Sequence, residues 1–292
     1  MKKILVATDL SPAAENAARY ALHLAYYLQV NIELLHTFEV PATSLLLQSF
    51  TGNVEKHQAF KNGKIVQLND FVKTLDKENR EVRPDLPWIP QISSSCEEGK
   101  VFEMISHRED FNDINFLTIG ISSAGKTNGF FFGSKIRKAI NKTGLPILIV
   151  PALATFKKIN KIVFATDFMG NDLEILALLS DLVRPFNAEI LIVHVKVGKE
   201  RAKDLQQKMD TLIVGAIART NYHRIYYRNF TGMTVEEGLS WIVEHGQTDV
   251  LAMEYREDAL FHQLFKESHT MKMVDLMSLP MLIFKTRKDK FL

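Results

Sequence analysis

Residues 4–10 of the chain are Ile-Leu-Val-Ala-Thr-Asp-Leu, and residues 162–168 are Ile-Val-Phe-Ala-Thr-Asp-Phe. The two stretches lie 158 positions apart, and the same spacing relates Leu-Leu-His at 34–36 to Ile-Val-His at 192–194. Two long copies of this kind indicate two similar domains rather than a solenoid of short repeats.

The ends of the two copies also match, since Leu-Pro-Ile-Leu-Ile-Val at 145–150 returns as Leu-Pro-Met-Leu-Ile-Phe at 279–284. The spacing here is 134 positions, so the second copy is 24 residues shorter in its middle. We therefore predict domains at 1–152 and 158–287. The duplication provides an internal control, because a residue that occurs in only one copy is not required by the fold.

Each copy begins with a short apolar run, which is typical of a strand buried on both faces. In the first copy Ser11-Pro12 then predicts a helix N-terminus, with serine as the cap and proline in the first turn. Apolar residues at helical spacing continue to Leu28, and a second apolar strand covers 32–38. The other elements predicted for this copy are helices at 59–79, 101–107 and 135–142 and strands at 88–93, 115–119 and 147–150.

The second copy repeats this order of elements. The predicted fold class is α/β, with two domains that each contain a five-stranded, mostly parallel sheet flanked by helices. Such sheets bind ligands at the carboxyl ends of their strands, where the topology reverses. The predicted strands of the second copy are 161–166, 189–195, 224–227, 250–253 and 281–284, and its predicted helices are 172–183, 200–220, 234–245 and 261–277.

The composition is that of an ordinary globular protein, with 46% hydrophobic and 24% charged residues among 292. A net charge of +2 is too small to predict nucleic-acid binding. The single cysteine, Cys96, excludes an internal disulfide and favours a reducing compartment. The N-terminal segment has the pattern of a strand rather than a signal peptide, and no apolar run approaches the roughly 18 residues of a membrane span. We therefore predict a cytoplasmic protein without a membrane or nucleic-acid partner.

The clearest chemical signal lies between the fourth strand and the following helix of the first copy, at 119–134. Glycines and hydroxyls at such a junction favour a phosphate site, because bare backbone amides reach phosphate oxygens and the helix N-terminus adds partial positive charge. Residues 120–127 satisfy the P-loop expression, but Asn128-Gly129 follows at once and breaks the helix that a P-loop lysine begins. The P-loop interpretation is therefore rejected on context.

A second motif fits this loop better. Gly120, Ser123 and the pair Gly133-Ser134 resemble the Gly-x2-Gly-x9-Gly-Ser/Thr nucleotide loop of the universal stress protein family. The rest of the chain agrees, with Asp9 at the end of the first strand, a helix directly after it, and Leu-Pro before the last strand of each copy. The resemblance covers nearly the whole chain and indicates a tandem, two-domain member.

The resemblance implies Rossmann-like domains of the adenine nucleotide alpha hydrolase type and a ligand that is ATP or another adenine nucleotide, with or without Mg²⁺. By the same resemblance, Asp9 would contact the ribose or the adenine. The motif glycines and Ser134 would hold the phosphates, while Ser123 replaces a glycine and narrows the approach with its Cβ. No catalytic residue and no metal ligand is implied. The nucleotide-binding residues that the resemblance implies are Ala7, Thr8, Asp9, Thr37, Phe38, Ile119, Gly120, Ser123, Gly133, Ser134 and Lys135.

The second copy has lost the motif. The spacing of 134 places Glu254, Glu257 and Glu267 at its glycine positions and Ser268 at its serine. Carboxylates repel a polyphosphate, and their side chains fill the space that bare backbone leaves open. We therefore predict that the second copy keeps the fold and binds no nucleotide.

The leading hypothesis is a stress-response protein that binds an adenine nucleotide in its first domain and uses its second domain for structure or regulation. Two alternatives stay open: a nucleotide-free interaction scaffold, in which Asp9 only caps a helix, and a slow ATPase. His36 and His194 recur at the same strand end and are interpreted as structural. The apolar last strands predict that the two domains pair within the chain, with a homodimer as a further option.

Overall fold

The computed structural model describes residues 2–39, 54–82, 88–122, 137–195, 202–256 and 278–285. The chain divides into two compact units, Met1–Gly120 and Ile121–Leu292. None of the helices in the described ranges is long and apolar enough to cross a membrane.

The first unit alternates strands and helices. Its elements are β1 (Lys3–Thr8), α1 (Pro12–Leu28), β2 (Asn31–Phe38), α2 (Val54–Val82), β3 (Ile92–Glu98), α3 (Val101–Ser106) and β4 (Ile114–Ile121). The strands lie in the order β3-β2-β1-β4 and pair in parallel. The chain moves from β1 outward to β3 and then crosses to the other side of β1, so the topology reverses between β1 and β4.

Helix α1 begins as the sequence predicts. Ser11 is the N-cap, and its hydroxyl accepts a hydrogen bond from Ala14 N at 3.3 Å, with Pro12 in the first turn. The helix ends at Leu28, and its C-cap, Gln29, has a left-handed φ of 52°. Its buried face is rich in alanine, and these small side chains allow the helix backbone to lie close to the sheet: Ala13, Ala14, Ala17, Ala18, Ala21 and Ala25.

The described residues of the second unit form six strands. Its elements are β5 (Ile147–Pro151), β6 (Lys161–Ala165), α4 (Asp172–Val183), β7 (Glu189–Val195), α5 (Ala202–Thr220), β8 (Ile225–Phe230), α6 (Val235–His245), β9 (Val250–Tyr255) and β10 (Met281–Lys285). Residues 137–143 are also helical. The strand order is β5-β10-β9-β6-β7-β8, and the pairs are parallel from β10 to β8. In each unit the strands are therefore mostly parallel and flanked by helices, as predicted, although the described residues give four strands in the first unit and six in the second rather than five in each.

The last strands of the two sequence copies pair with each other. β5 and β10 are antiparallel, with Leu148 opposite Leu282, and both strands are buried over most of their length. This confirms the predicted pairing of these two strands, although β5 belongs to the first copy by sequence and to the second unit by its contacts. That the pairing replaces a homodimer stays a prediction, as do the domain limits at 152 and 158.

The third strand of the first copy was placed wrongly by its sequence pattern. The prediction of a strand at 88–93 is corrected to Ile92–Glu98, because Pro90 has no N–H for a ladder and pairing begins where Ile32 lies opposite Ile92. The serines after Ile92 are weak strand formers, so their extended conformation depends on pairing with the neighbouring strand β2 rather than on their own propensity. The helix predicted at 261–277 lies outside the described residues.

Candidate functional site

The turn after β1 is held by two local hydrogen bonds. Thr8 Oγ1 accepts a hydrogen bond from Leu10 N at 3.0 Å. Asp9 Oδ1 accepts one from Ser11 N, also at 3.0 Å. Leu10 has a φ of 62°, in the left-handed region, so these side-chain acceptors stabilise a backbone conformation that leucine rarely adopts.

The second unit repeats this turn after β6. Thr166 Oγ1 accepts from Phe168 N at 2.9 Å, and Asp167 Oδ1 accepts from Met169 N at 3.1 Å. Phe168 has a φ of 60°. The second copy keeps this turn although it has lost the nucleotide motif. The hydrogen bond to Asp9 Oδ1 is therefore explained by the turn itself and requires no ligand.

The two recurring histidines also have matching contacts. His36 Nδ1 lies 2.8 Å from the Thr8 carbonyl oxygen, and His194 Nδ1 lies 2.9 Å from the Thr166 carbonyl oxygen. A carbonyl oxygen only accepts, so Nδ1 carries the proton and each ring ties the second strand of its unit to the first. The structural interpretation of these histidines is therefore confirmed.

Seven of the eleven predicted nucleotide-binding residues lie at the carboxyl ends of three adjacent strands. They are Ala7, Thr8 and Asp9 on or just after β1, Thr37 and Phe38 on β2, and Ile119 and Gly120 on β4. β1 lies between β2 and β4, so the structure brings these residues to the same edge of one sheet at its topological switch point. The other four, Ser123, Gly133, Ser134 and Lys135, lie outside the described residues.

Gly120 has a packing reason to be glycine. A Cβ added there would overlap Ala13 O and would lie 2.5 Å from Ala13 C and 2.7 Å from Ala14 N. Backbone atoms at the start of α1 therefore occupy the space that any side chain would need. The absence of a Cβ at Gly120 allows α1 to approach the end of β4, and this holds with or without a ligand.

The second unit solves the same packing problem in reverse. Glu254 stands at the position of Gly120, is 7% exposed, and lies at the start of α4, where Asn171 N is 3.3 Å and 3.4 Å from its two carboxylate oxygens. Opposite it is Gly170, where a Cβ would overlap the Glu254 carboxylate. In the second unit the glycine therefore lies in the loop, at Gly170, rather than on the strand. The Glu254 carboxylate lies at the N-terminus of α4.

Arg256 neutralises part of this buried charge. Its Nη2 donates to Asp167 Oδ2 at 2.5 Å, and its Nη1 lies 4.0 Å from Glu254 Oε2. The corresponding residue of the first copy is Ser122. In the second unit the topology reverses between β6 and β9, and this second switch point is filled by the side chains of Glu254 and Arg256. This refines the prediction that the glutamates of the second copy repel a polyphosphate. Glu257, Glu267 and Ser268 lie outside the described residues.

Asp172 adds a third carboxylate to this cluster. It is 8% exposed and accepts a hydrogen bond from Thr166 Oγ1 at 2.7 Å. Burial raises the pKa of Asp172 to about 6; the Thr166 hydrogen bond and Arg256 oppose this rise, whereas Glu254 and Asp167 add to it. No group of three acidic, histidine or cysteine side chains in the described ranges is arranged to hold a metal ion.

Replacing Asp172 with asparagine should stabilise the second unit at neutral pH. The folded-state pKa of about 6 lies above the ordinary value of 3.8, so the ionised carboxylate costs folding free energy above pH 6 and nothing below 3.8. We expect Asp172→Asn to raise the unfolding free energy by up to about 3 kcal/mol at pH 8 and to have little effect at pH 4. Urea denaturation at several pH values measures this. Asp181→Asn, on the exposed side of α4, is the control, and an equal gain at pH 4 would contradict the titration.

Sequence reasoning missed Gly170, Arg256 and Asp172. Aligning the copies pairs Arg256 with Ser122 and Gly170 with Pro12, so the signal was a change of chemistry between the copies. The sequence does not show that these charges are buried, and only burial makes an opposite charge next to Glu254 necessary.

Comparison with known proteins agrees with this architecture. A sequence model of the universal stress protein family matches residues 1–151. A universal stress protein from Archaeoglobus fulgidus DSM 4304 has a similar structure, with a TM-score of 0.61 and 14% identity over 97% of this chain and 98% of that chain. The cytoplasmic domain of a prokaryotic cation chloride cotransporter is also similar, with a TM-score of 0.55 and 9% identity over 99% of this chain and 98% of that chain. At these identities the structural likeness shows the fold alone, and no curated protein matches the chain.

Proposed function

Because the chain belongs to the universal stress protein family, we propose that it is a stress-response protein of the cytoplasm whose first copy binds ATP or another adenine nucleotide. The second copy has a structural or regulatory role. The nucleotide would lie at the carboxyl ends of β1 and β4, with its phosphates on the loop that carries Gly133 and Ser134.

One observation carries this proposal: the difference between the two switch points. In the second unit Glu254 and Arg256 fill the site with paired charges. At the same positions the first copy has Gly120 and Ser122, which carry no ionisable group, and only this copy retains motif glycines of the nucleotide loop, Gly120 and Gly133. Since the second unit folds with charged side chains at these positions, the fold does not require the small residues of the first copy there.

Calorimetric titration of the full-length protein with ATP, with and without Mg²⁺, should give a stoichiometry near one. A value near two would mean that the second copy binds as well. The rivals separate in the same sample: a scaffold binds no nucleotide and releases none on heating, and an ATPase releases phosphate from the bound ATP.

The variant Gly133→Glu should abolish this binding, because a carboxylate would then lie where the phosphates are expected. The second copy already carries Glu267 at the matching position, so the fold should tolerate the change. The circular dichroism spectrum should stay the same while ATP no longer raises the melting temperature. Loss of the folded spectrum would instead show that Gly133 is needed for its backbone conformation.

A further inference from the structure

Strand β8 is the last strand of the second unit's sheet, and the only strand paired with it in the described parts of the chain is β7. Ile190 N donates to the Arg224 carbonyl oxygen at 2.9 Å, and Ile190 lies opposite Ile225 in the register. In a parallel ladder the backbone groups of alternate residues point to the same side. The N–H and C=O groups of Tyr226 and Arg228 therefore point to β7, and those of Ile225, Tyr227 and Asn229 point away from the sheet.

Two side chains of β8 are presented to solvent. Tyr226 is 49% exposed, and Arg228 is exposed as well. The Arg228 guanidinium lies over the ring of Trp241, 4.6 Å from its centroid, and 5.4 Å from the centroid of Phe230. These cation–π contacts restrict the arginine, so it would lose little conformational entropy on meeting an anionic partner.

The charge along this edge is positive. Residues 221–235 contain Arg224 and Arg228 and no aspartate or glutamate, and Glu236 and Glu237 follow in the first turn of α6. One of these charges is shared with Glu189 of β7, whose Oε1 accepts from Arg224 at 3.1 Å. The edge therefore combines unpaired backbone groups with excess basic charge, which suits a strand that carries carboxylates.

The corresponding edge of the first unit differs. Its outer strand β3 has serines at 93–95 and ends with Glu97 and Glu98, which are polar and charged residues of the kind that protect edges from strand addition. In β8 the positions of the three serines are occupied by Tyr226, Tyr227 and Arg228, and the position of Glu97 by Phe230. Since both copies fold, the basic, aromatic edge is not required by the fold.

We propose that β8 is a docking edge for an extended acidic segment of a partner protein, which joins the sheet as an additional strand. Main-chain hydrogen bonds to Ile225, Tyr227 and Asn229 supply affinity, and carboxylates beside Arg224 and Arg228 supply selectivity. This proposal is independent of nucleotide binding in the first copy.

The test uses the full-length protein and two labelled, blocked peptides of about eight residues, one alternating valine with glutamate and the other alternating valine with lysine. Fluorescence anisotropy should show saturable binding of the glutamate peptide, at least roughly tenfold tighter than the lysine peptide and weakened by salt. Equal binding of the two peptides, or no binding of either, would overturn the proposal.

The variant Tyr227→Pro removes one outward N–H and leaves the ladder to β7 intact, since proline is tolerated where the N–H faces solvent. It should weaken the glutamate peptide roughly tenfold or more, whereas Tyr227→Phe, which keeps the N–H, should not. If the proline variant fails to fold, Arg224→Glu combined with Arg228→Glu should reverse the preference toward the lysine peptide. Unchanged binding in the folded variants would overturn the proposal. So would self-association of the unaltered chain that Tyr227→Pro abolishes, because the occupant would then be a second copy.

Discussion

Replacing Gly120 with alanine is expected to lower the free energy of unfolding of the first unit by roughly 3 kcal/mol. The new Cβ would overlap Ala13 O and lie 2.5 Å from Ala13 C, and both are backbone atoms at the start of α1. A flexible side chain could rotate away, but this backbone moves only if the helix N-terminus shifts and weakens its cap at Ser11. Urea denaturation followed by circular dichroism measures the loss.

Gly63 provides the matched control, because a Cβ there meets no atom within 4 Å. It lies within α2, where alanine is favoured over glycine by about 1 kcal/mol. Gly63→Ala should therefore stabilise the unit that Gly120→Ala destabilises. Effects of the same sign and size would show that α1 yields easily and that the close approach at Gly120 is not a constraint.

Replacing Arg256 with methionine should destabilise the second unit by about 3–5 kcal/mol. The side chains of Arg256, Asp167 and Glu254 are only 12%, 18% and 8% exposed, so removal of the cation leaves two buried carboxylates without their counter-charge. Adding Glu254→Gln should recover part of the lost stability, because the amide oxygen still accepts from Asn171 N and carries no charge.

Arg219→Met is the control for Arg256→Met. Arg219 pairs with Glu174 at 3.1 Å on the surface of α5, with side-chain exposures of 52% and 48%. An exposed pair of this kind contributes at most about 1 kcal/mol. Equal effects of the two methionine variants would mean that Arg256 does not neutralise the cluster at the second switch point.

Local patterns in the chain were sufficient for most of the fold. Ser11-Pro12 predicted the start of α1, and Thr234 and Glu237 form a capping box at the start of α6, where the sequence predicts a helix. The duplication predicted a second domain of the same class and the loss of its nucleotide motif. The strand at 92–98 was misplaced because its order comes from pairing with β2, a contact that serine propensity does not encode.

The filling of the second switch point depends on residues that are distant in sequence. Glu254 and Asn171 are 83 positions apart, and the sequence alone made Glu254 a repelling carboxylate rather than a buried acceptor at a helix N-terminus. Periodicity, caps and turns act between residues that are near in sequence. They therefore predict the succession of strands and helices along the chain and the approximate ends of the helices. Whether a charge is buried, and which glycine makes room for it, depends on how the sheet and helices pack together, and only the tertiary structure shows that Gly170, Glu254 and Arg256 meet.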